Sequence, residues 1–114
     1  MKRFLALALI STSVFAAEQK LLCKGTHNYE LVMENVVSLS SGQKNLEVGT
    51  VANFEVLVSS LENQSVELQA FNPIDPSRTY STAVLRSAND EVKLSVWTRE
   101  FLVEIECKLM NMKR

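Results

Sequence analysis

One histidine, two cysteines, one tryptophan and two prolines stand in a chain of 114 residues, and each scarcity removes a class of chemistry. A single histidine, His27, cannot build a histidine-rich metal centre, and no His/Cys pair has ligand spacing. A Ser-His-Asp triad would have to use that same residue, which sits in a Gly-Thr-His-Asn segment that reads as an ordinary turn. Two cysteines 84 positions apart form no C-x-x-C redox pair. No basic stripe is present to hold a nucleic acid backbone, and no sustained helical period, internal repeat or low-complexity linker interrupts the chain. The expectation is a protein that is not an enzyme, with no catalytic residues, no metal and no cofactor.

What is present begins with an export signal. Met1-Lys2-Arg3, the apolar run Phe4 to Ile10 and the segment Ser11 to Ala16 read as the three regions of a secretory signal peptide. Val14 and Ala16 satisfy the small-residue rule, which places cleavage after Ala16. Residues 1–16 are thus expected to be the leader and residues 17–114 a single domain. The run is shorter than the roughly 20 residues of a spanning helix and no later segment approaches that length, so stable membrane insertion is not expected. Lys20-Leu21-Leu22 ahead of Cys23 does not fit a lipoprotein signal. The short basic leader points to a bacterial periplasmic or secreted protein. In that setting Asn63-Gln64-Ser65 reads as a plain turn rather than a glycosylation acceptor. Without the leader, ten basic and thirteen acidic side chains remain, a mildly acidic domain.

Cys23 and Cys107 are expected to form one disulfide between the first and last structured segments, as suits an oxidising compartment. In the chain-entropy view, closing a loop of roughly 85 residues stabilises by about 4 to 5 kcal/mol. That is comparable to the net stability of a small domain.

The body alternates apolar and polar residues with period two, broken by turn residues every 8 to 14 positions or so. The clearest strand is Phe101 to Leu109, where Phe101, Val103, Ile105, Cys107 and Leu109 share one face and Glu104, Glu106 and Lys108 the other. Cys107 is therefore expected to point inward. Val92, Leu94 and Val96, then Val66, Leu68 and Ala70, then Phe54, Val56 and Val58 mark three more strands, and Tyr29, Leu31 and Met33 a fourth. With weaker strands at Leu21 to Lys24 and Thr79 to Arg86, the count is about seven, or eight if Asn45 to Val48 also forms one. Short connections favour antiparallel neighbours. The fold class is all-β, a small antiparallel barrel or sandwich of about seven to eight strands tied by the disulfide, with the barrel slightly preferred. An outer-membrane barrel is excluded because Glu67, Gln69, Lys93, Glu104 and Glu106 stand where lipid would need apolar groups.

Binding remains as the function class. Asn72 to Tyr80, Asn-Pro-Ile-Asp-Pro-Ser-Arg-Thr-Tyr, reads as the longest irregular connection, stiffened by Pro73 and Pro76 so that docking loses little entropy. Its candidate contact residues are Ile74, Asp75 and Arg78, with Tyr80 at the base. Trp97 falls out of phase with Val92, Leu94 and Val96, on the outward face beside Arg99, where a tryptophan is often a contact residue; the Tyr80 and Arg78 surface is its candidate neighbour. The leading expectation is an exported module that binds another protein, with inhibition of a hydrolase as one concrete form. The alternatives are a carrier of a small apolar ligand inside a barrel and an assembly subunit pairing through a β edge. A cysteine near each end, an export leader and a small barrel are similar in architecture to the bacterial periplasmic inhibitors of lysozyme. Their Gly- and Ser-rich cleft loops have only the generic Ser40-Ser41-Gly42 as a counterpart, so no family assignment follows.

Overall fold

A computed structural model describes residues 18–110; the leader and its cleavage point lie outside the described residues. Eight strands follow one another: β1 (Gln19–His27), β2 (Glu30–Leu39), β3 (Leu46–Val51), β4 (Phe54–Ser60), β5 (Ser65–Asn72), β6 (Ser77–Val84), β7 (Glu91–Trp97) and β8 (Leu102–Leu109), with one short helical turn at Glu62–Gln64. The protein is all-β, as its period-two patterning predicts. The weakly marked Asn45 to Val48 segment is the eighth strand, β3, shifted slightly toward the C-terminus.

The strands form two four-stranded antiparallel sheets, in the orders β2-β1-β8-β7 and β3-β4-β5-β6. Every strand except at the two crossovers pairs with its neighbour in sequence, and β1 also pairs with β8. The path is thus an up-and-down meander flattened into two layers. The barrel preference is not borne out, because the sheets are not joined by strand pairing between β2 and β3 or between β6 and β7. The physical reason lies in the inward side chains. They are mostly valine and leucine, of a size that fills the roughly 10 Å between two facing sheets.

Leu21, Leu94, Val103 and Ile105 of the first sheet meet Val56, Val58, Val66 and Leu68 of the second, all of them buried. The interior is occupied by these side chains. Cys23 and Cys107 sit directly opposite each other on β1 and β8, fully buried and disulfide-bonded, with Cα atoms 4.0 Å apart. Cys107 points inward, in phase with Val103 and Ile105. The bridge joins the two central strands of its sheet, so it marks neither a barrel seam nor a sheet edge.

The phase expected for Tyr29, Leu31 and Met33 fails on β2. Met33 stands opposite Gly25 and is buried, but the pairing shifts at Gly25/Thr26 so that Leu31 stands opposite the outward Thr26. A bulge of this kind turns the following side chains to the other face. Leu31 is exposed as a result, whereas Tyr29 is exposed because it stands with Asn28 in the two-residue turn between His27 and Glu30, at a φ of 72°.

Candidate functional site

The strand registers place four hairpin turns at one end of the molecule. β1 runs toward that end and β8 starts from it, since His27 faces Val103. The β7–β8 turn lies there too, because Trp97 faces Leu102. Across the core, the Phe54 ring meets Phe101 edge-on at 6.1 Å, which brings the β3–β4 turn to the same end. Phe71 opposite Glu55 then places the β5–β6 turn beside it. His27 is the last residue of β1 rather than part of a turn, half-buried with its ring 6.0 Å from Phe101.

The three most exposed large apolar side chains of the described residues all lie at this end: Trp97 at 83%, Tyr29 at 81% and Ile74 at 74%. Trp97 continues the outward phase of Glu91, Lys93 and Ser95, as its position in the sequence suggests. An open groove of about 560 Å³ runs beside it, walled by Trp97, Tyr29 and Thr98 over Phe101 and Leu102. Both walls are held by hydrogen bonds. The Asn28 amide donates to the Leu102 carbonyl at 2.8 Å and the Asn28 side-chain oxygen accepts from the Leu102 amide at 2.9 Å, so the β1–β2 turn is tied to the β7–β8 turn. Thr98 Oγ1 accepts from the amides of Glu100 and Phe101 at 3.1 and 3.2 Å, which sets the second turn. Asn28 has a φ of 52°, in the region Asn tolerates better than most residues.

The chain matches no known protein family, no curated protein and no solved structure.

The proline segment differs from its expected form. β5 runs through Asn72 and β6 starts at Ser77, so a four-residue turn replaces a long protruding loop. Side chains close it: Asn72 Oδ1 accepts from the Ile74 amide at 3.0 Å, and Asp75 Oδ1 accepts from the Ser77 amide at 3.2 Å and its hydroxyl at 2.7 Å. These are the local bonds that make Asn and Asp turn residues. The stiffness is present. Of the four candidate contact residues, only Ile74 and Asp75 stand on the turn.

Arg78 and Tyr80 belong to strand β6, exposed on the outer face of the second sheet. The Arg78 guanidinium lies 4.3 Å from the Phe71 ring centre, a cation–π contact. Trp97 is on the outer face of the other sheet, and its groove is lined by Tyr29 rather than by Tyr80 or Arg78. Tyr29 is the residue that sequence reading missed. Its period-two position suggested burial, but it falls in the two-residue β1–β2 turn, outside both strands and at a φ of 72°.

Among the described residues, no three His, Cys, Asp or Glu side chains gather as a metal site would require.

Proposed function

We propose that this protein is an exported binding module whose partner is another protein, docked against the hairpin end. The observation that carries this reading is the placement of Trp97, Tyr29 and Ile74 at one end, Tyr29 and Ile74 on short turns braced by hydrogen bonds and Trp97 at the end of β7. Exposed aromatic side chains are large apolar surfaces. Each buries some 150 to 250 Å² in an interface, and at about 25 cal/mol per Å² that is several kcal/mol before ordering costs. Braced turns lose little further freedom on docking. Aromatic anchors of this kind dominate protein interfaces, and insertion of such an end into the cleft of a hydrolase is one form the activity would take. The buried disulfide supports an oxidising compartment, the periplasm or the exterior of a bacterial cell.

Co-purification of the tagged protein from periplasm or culture fluid identifies the partner. Trp97→Ala and Tyr29→Ala are each expected to weaken binding at least tenfold, while stability changes by no more than about 0.5 kcal/mol because both side chains are exposed. Replacing Ile74, Asp75 and Arg78 together by Ala should weaken it further. A partner held equally well by all of these variants removes the hairpin end from consideration.

A further inference from the structure

The four sheet edges differ in how they are guarded, and one is bare. We propose that the free edge of β6 pairs antiparallel with β6 of a second copy of this chain, about a two-fold axis at Tyr80, so that two β3-β4-β5-β6 sheets join into one. The inference does not rest on the protein partner proposed above. It uses Tyr80, a residue that the hairpin end leaves aside.

A sheet edge presents a row of unpaired N–H and C=O groups, which proteins blunt with charged side chains, bulges, short strands or cover. β2 carries Glu30 and Glu34 and a bulge in its pairing with β1, and its Asn35 side-chain amide donates to the Val48 carbonyl of β3 at 2.8 Å. β3 is six residues long, with a register shift of its own and that carbonyl already engaged. β7 carries the exposed Lys93, paired with Glu91 at 3.3 Å. Three edges are thus guarded. β6 pairs with β5 in one unbroken register, and residues 79–84 hold no charge, proline or glycine. Alone among the eight strands of the described residues, it has no buried residue. Beyond the ladder with β5, no backbone group of residues 78–84 is hydrogen-bonded among the described residues. β7, beside it in the other sheet, neither pairs with it nor covers it.

A second copy is the occupant that the strand's own side chains fit. Pairing about Tyr80 sets Tyr80 against Tyr80 of the second copy, Arg78 against its Thr82 and Thr79 against its Ser81. Aromatic and hydroxyl pairs of this kind stabilise neighbouring strands. The charges agree as well. Arg78 is the single charge of β6, and the two arginines fall four positions apart along the strands, about 13 Å, beyond the screening length of about 8 Å at physiological salt. Thr82 stands opposite Glu67 on β5, so each arginine comes within two strand spacings, about 10 Å, of the second copy's Glu67. Glu55, beyond Phe71 on the other side, puts an acid on either hand. Neither Glu67 nor Arg78 has an ion-pair partner among the described residues, and Arg78 keeps its place over Phe71. A single pair of short strands falls below the roughly 1,200 Å² of a stable interface, so the dimer forms reversibly and depends on concentration. Because the two copies run in opposite directions, their hairpin ends point apart.

Sedimentation equilibrium of the intact mature protein, from micromolar to millimolar concentration, is expected to show a reversible monomer–dimer equilibrium. Amide exchange of residues 78–82 should slow as concentration rises. Thr82→Lys, at an exposed position where the fold is not at risk, sets a cation against Arg78 of the second copy and should weaken the dimer about tenfold. Adding Arg78→Glu should recover that loss, because each new lysine then faces a carboxylate. Trp97→Ala should leave the dimer unchanged while weakening capture of the protein partner, so the two proposals fail separately. The inference is overturned by a protein that stays monomeric at every concentration, by a dimer indifferent to Thr82→Lys, or by no recovery in the double variant. Protection of residues 78–82 that appears only when the captured partner is added would give the edge to that partner, and overturns it too.

Discussion

Gly25 faces the core from β1, and a Cβ added there would run into the Val51 side chain of the opposite sheet. Its absence of a side chain allows the two layers to approach at that point. Gly25→Ala is expected to destabilise by about 1 to 3 kcal/mol through overpacking. Combining it with Val51→Ala should cost less than the sum of the two single changes, because one removes the obstacle the other meets; thermal or urea unfolding of the four proteins measures this. Asp90 acts differently, through its charge. Its carboxylate accepts hydrogen bonds from the Ser87 and Arg86 amides at 2.9 and 3.0 Å, and these bonds, with the nearby Arg86 charge, hold its pKa below the ordinary value of 3.8. A depressed folded-state pKa means that the contribution is fully present above the unfolded value and is lost as pH falls through the folded one. The stability difference between the wild type and Asp90→Asn should therefore be present at neutral pH and shrink once pH drops below about 3.8. Melting temperatures across a pH series would show it.

The hairpin is the unit that builds the functional end, and the registers decide what each hairpin presents. A single shift in the β1–β2 pairing places Leu31 on the outer face opposite Thr26, while Met33 stays inward against Gly25. In the β5–β6 hairpin, side-chain oxygens of Asn72 and Asp75 close a turn so tight that Arg78 and Tyr80 become strand residues. The two hairpins beside Trp97 are coupled through Asn28, whose backbone and side chain both bond Leu102. Asn28→Ala removes one of these bonds and puts a residue less tolerant of positive φ at 52°. A loss of about 1 to 2 kcal/mol is expected, together with faster amide exchange at Leu102 and weaker capture of the partner. Unchanged exchange at Leu102 would show that the groove walls are not held by Asn28.

The molecule as a whole is tied where its ends meet. β1 and β8 are the first and last strands in sequence and immediate neighbours in space, and the disulfide between them spans 84 positions. Constraining so long a loop in the unfolded chain is worth up to about 4 to 5 kcal/mol in the chain-entropy view. A domain this small buries a limited share of its surface. Reduction, or Cys107→Ser, should lower stability by a few kcal/mol without changing strand order, as denaturant unfolding with and without reductant would register. An unchanged midpoint would overturn the structural role of the bridge. The disulfide lies between the two layers, with Val92 opposite Cys107 on β7, so its loss also loosens packing.

Much of this was legible in the residues themselves. The alternation of Val103, Ile105 and Cys107 with Glu104 and Glu106 predicts both the last strand and the inward cysteine, because a period of two is local and survives in any sheet. The outward Trp97 is likewise readable from its phase against Val92, Leu94 and Val96. Three things needed the tertiary structure. Whether eight strands close into a barrel or flatten into two layers depends on how all the inward side chains fill space together, which no single segment records. The exposure of Tyr29 follows from where the β1–β2 hairpin turns, with His27 paired to Glu30, a property of two strands. Its meeting with Trp97 follows from the order β2-β1-β8-β7, which brings turns some 70 residues apart to one end. Local periodicity determined which residues face inward and which outward on most strands; only long-range pairing decided which of the outward ones stand together.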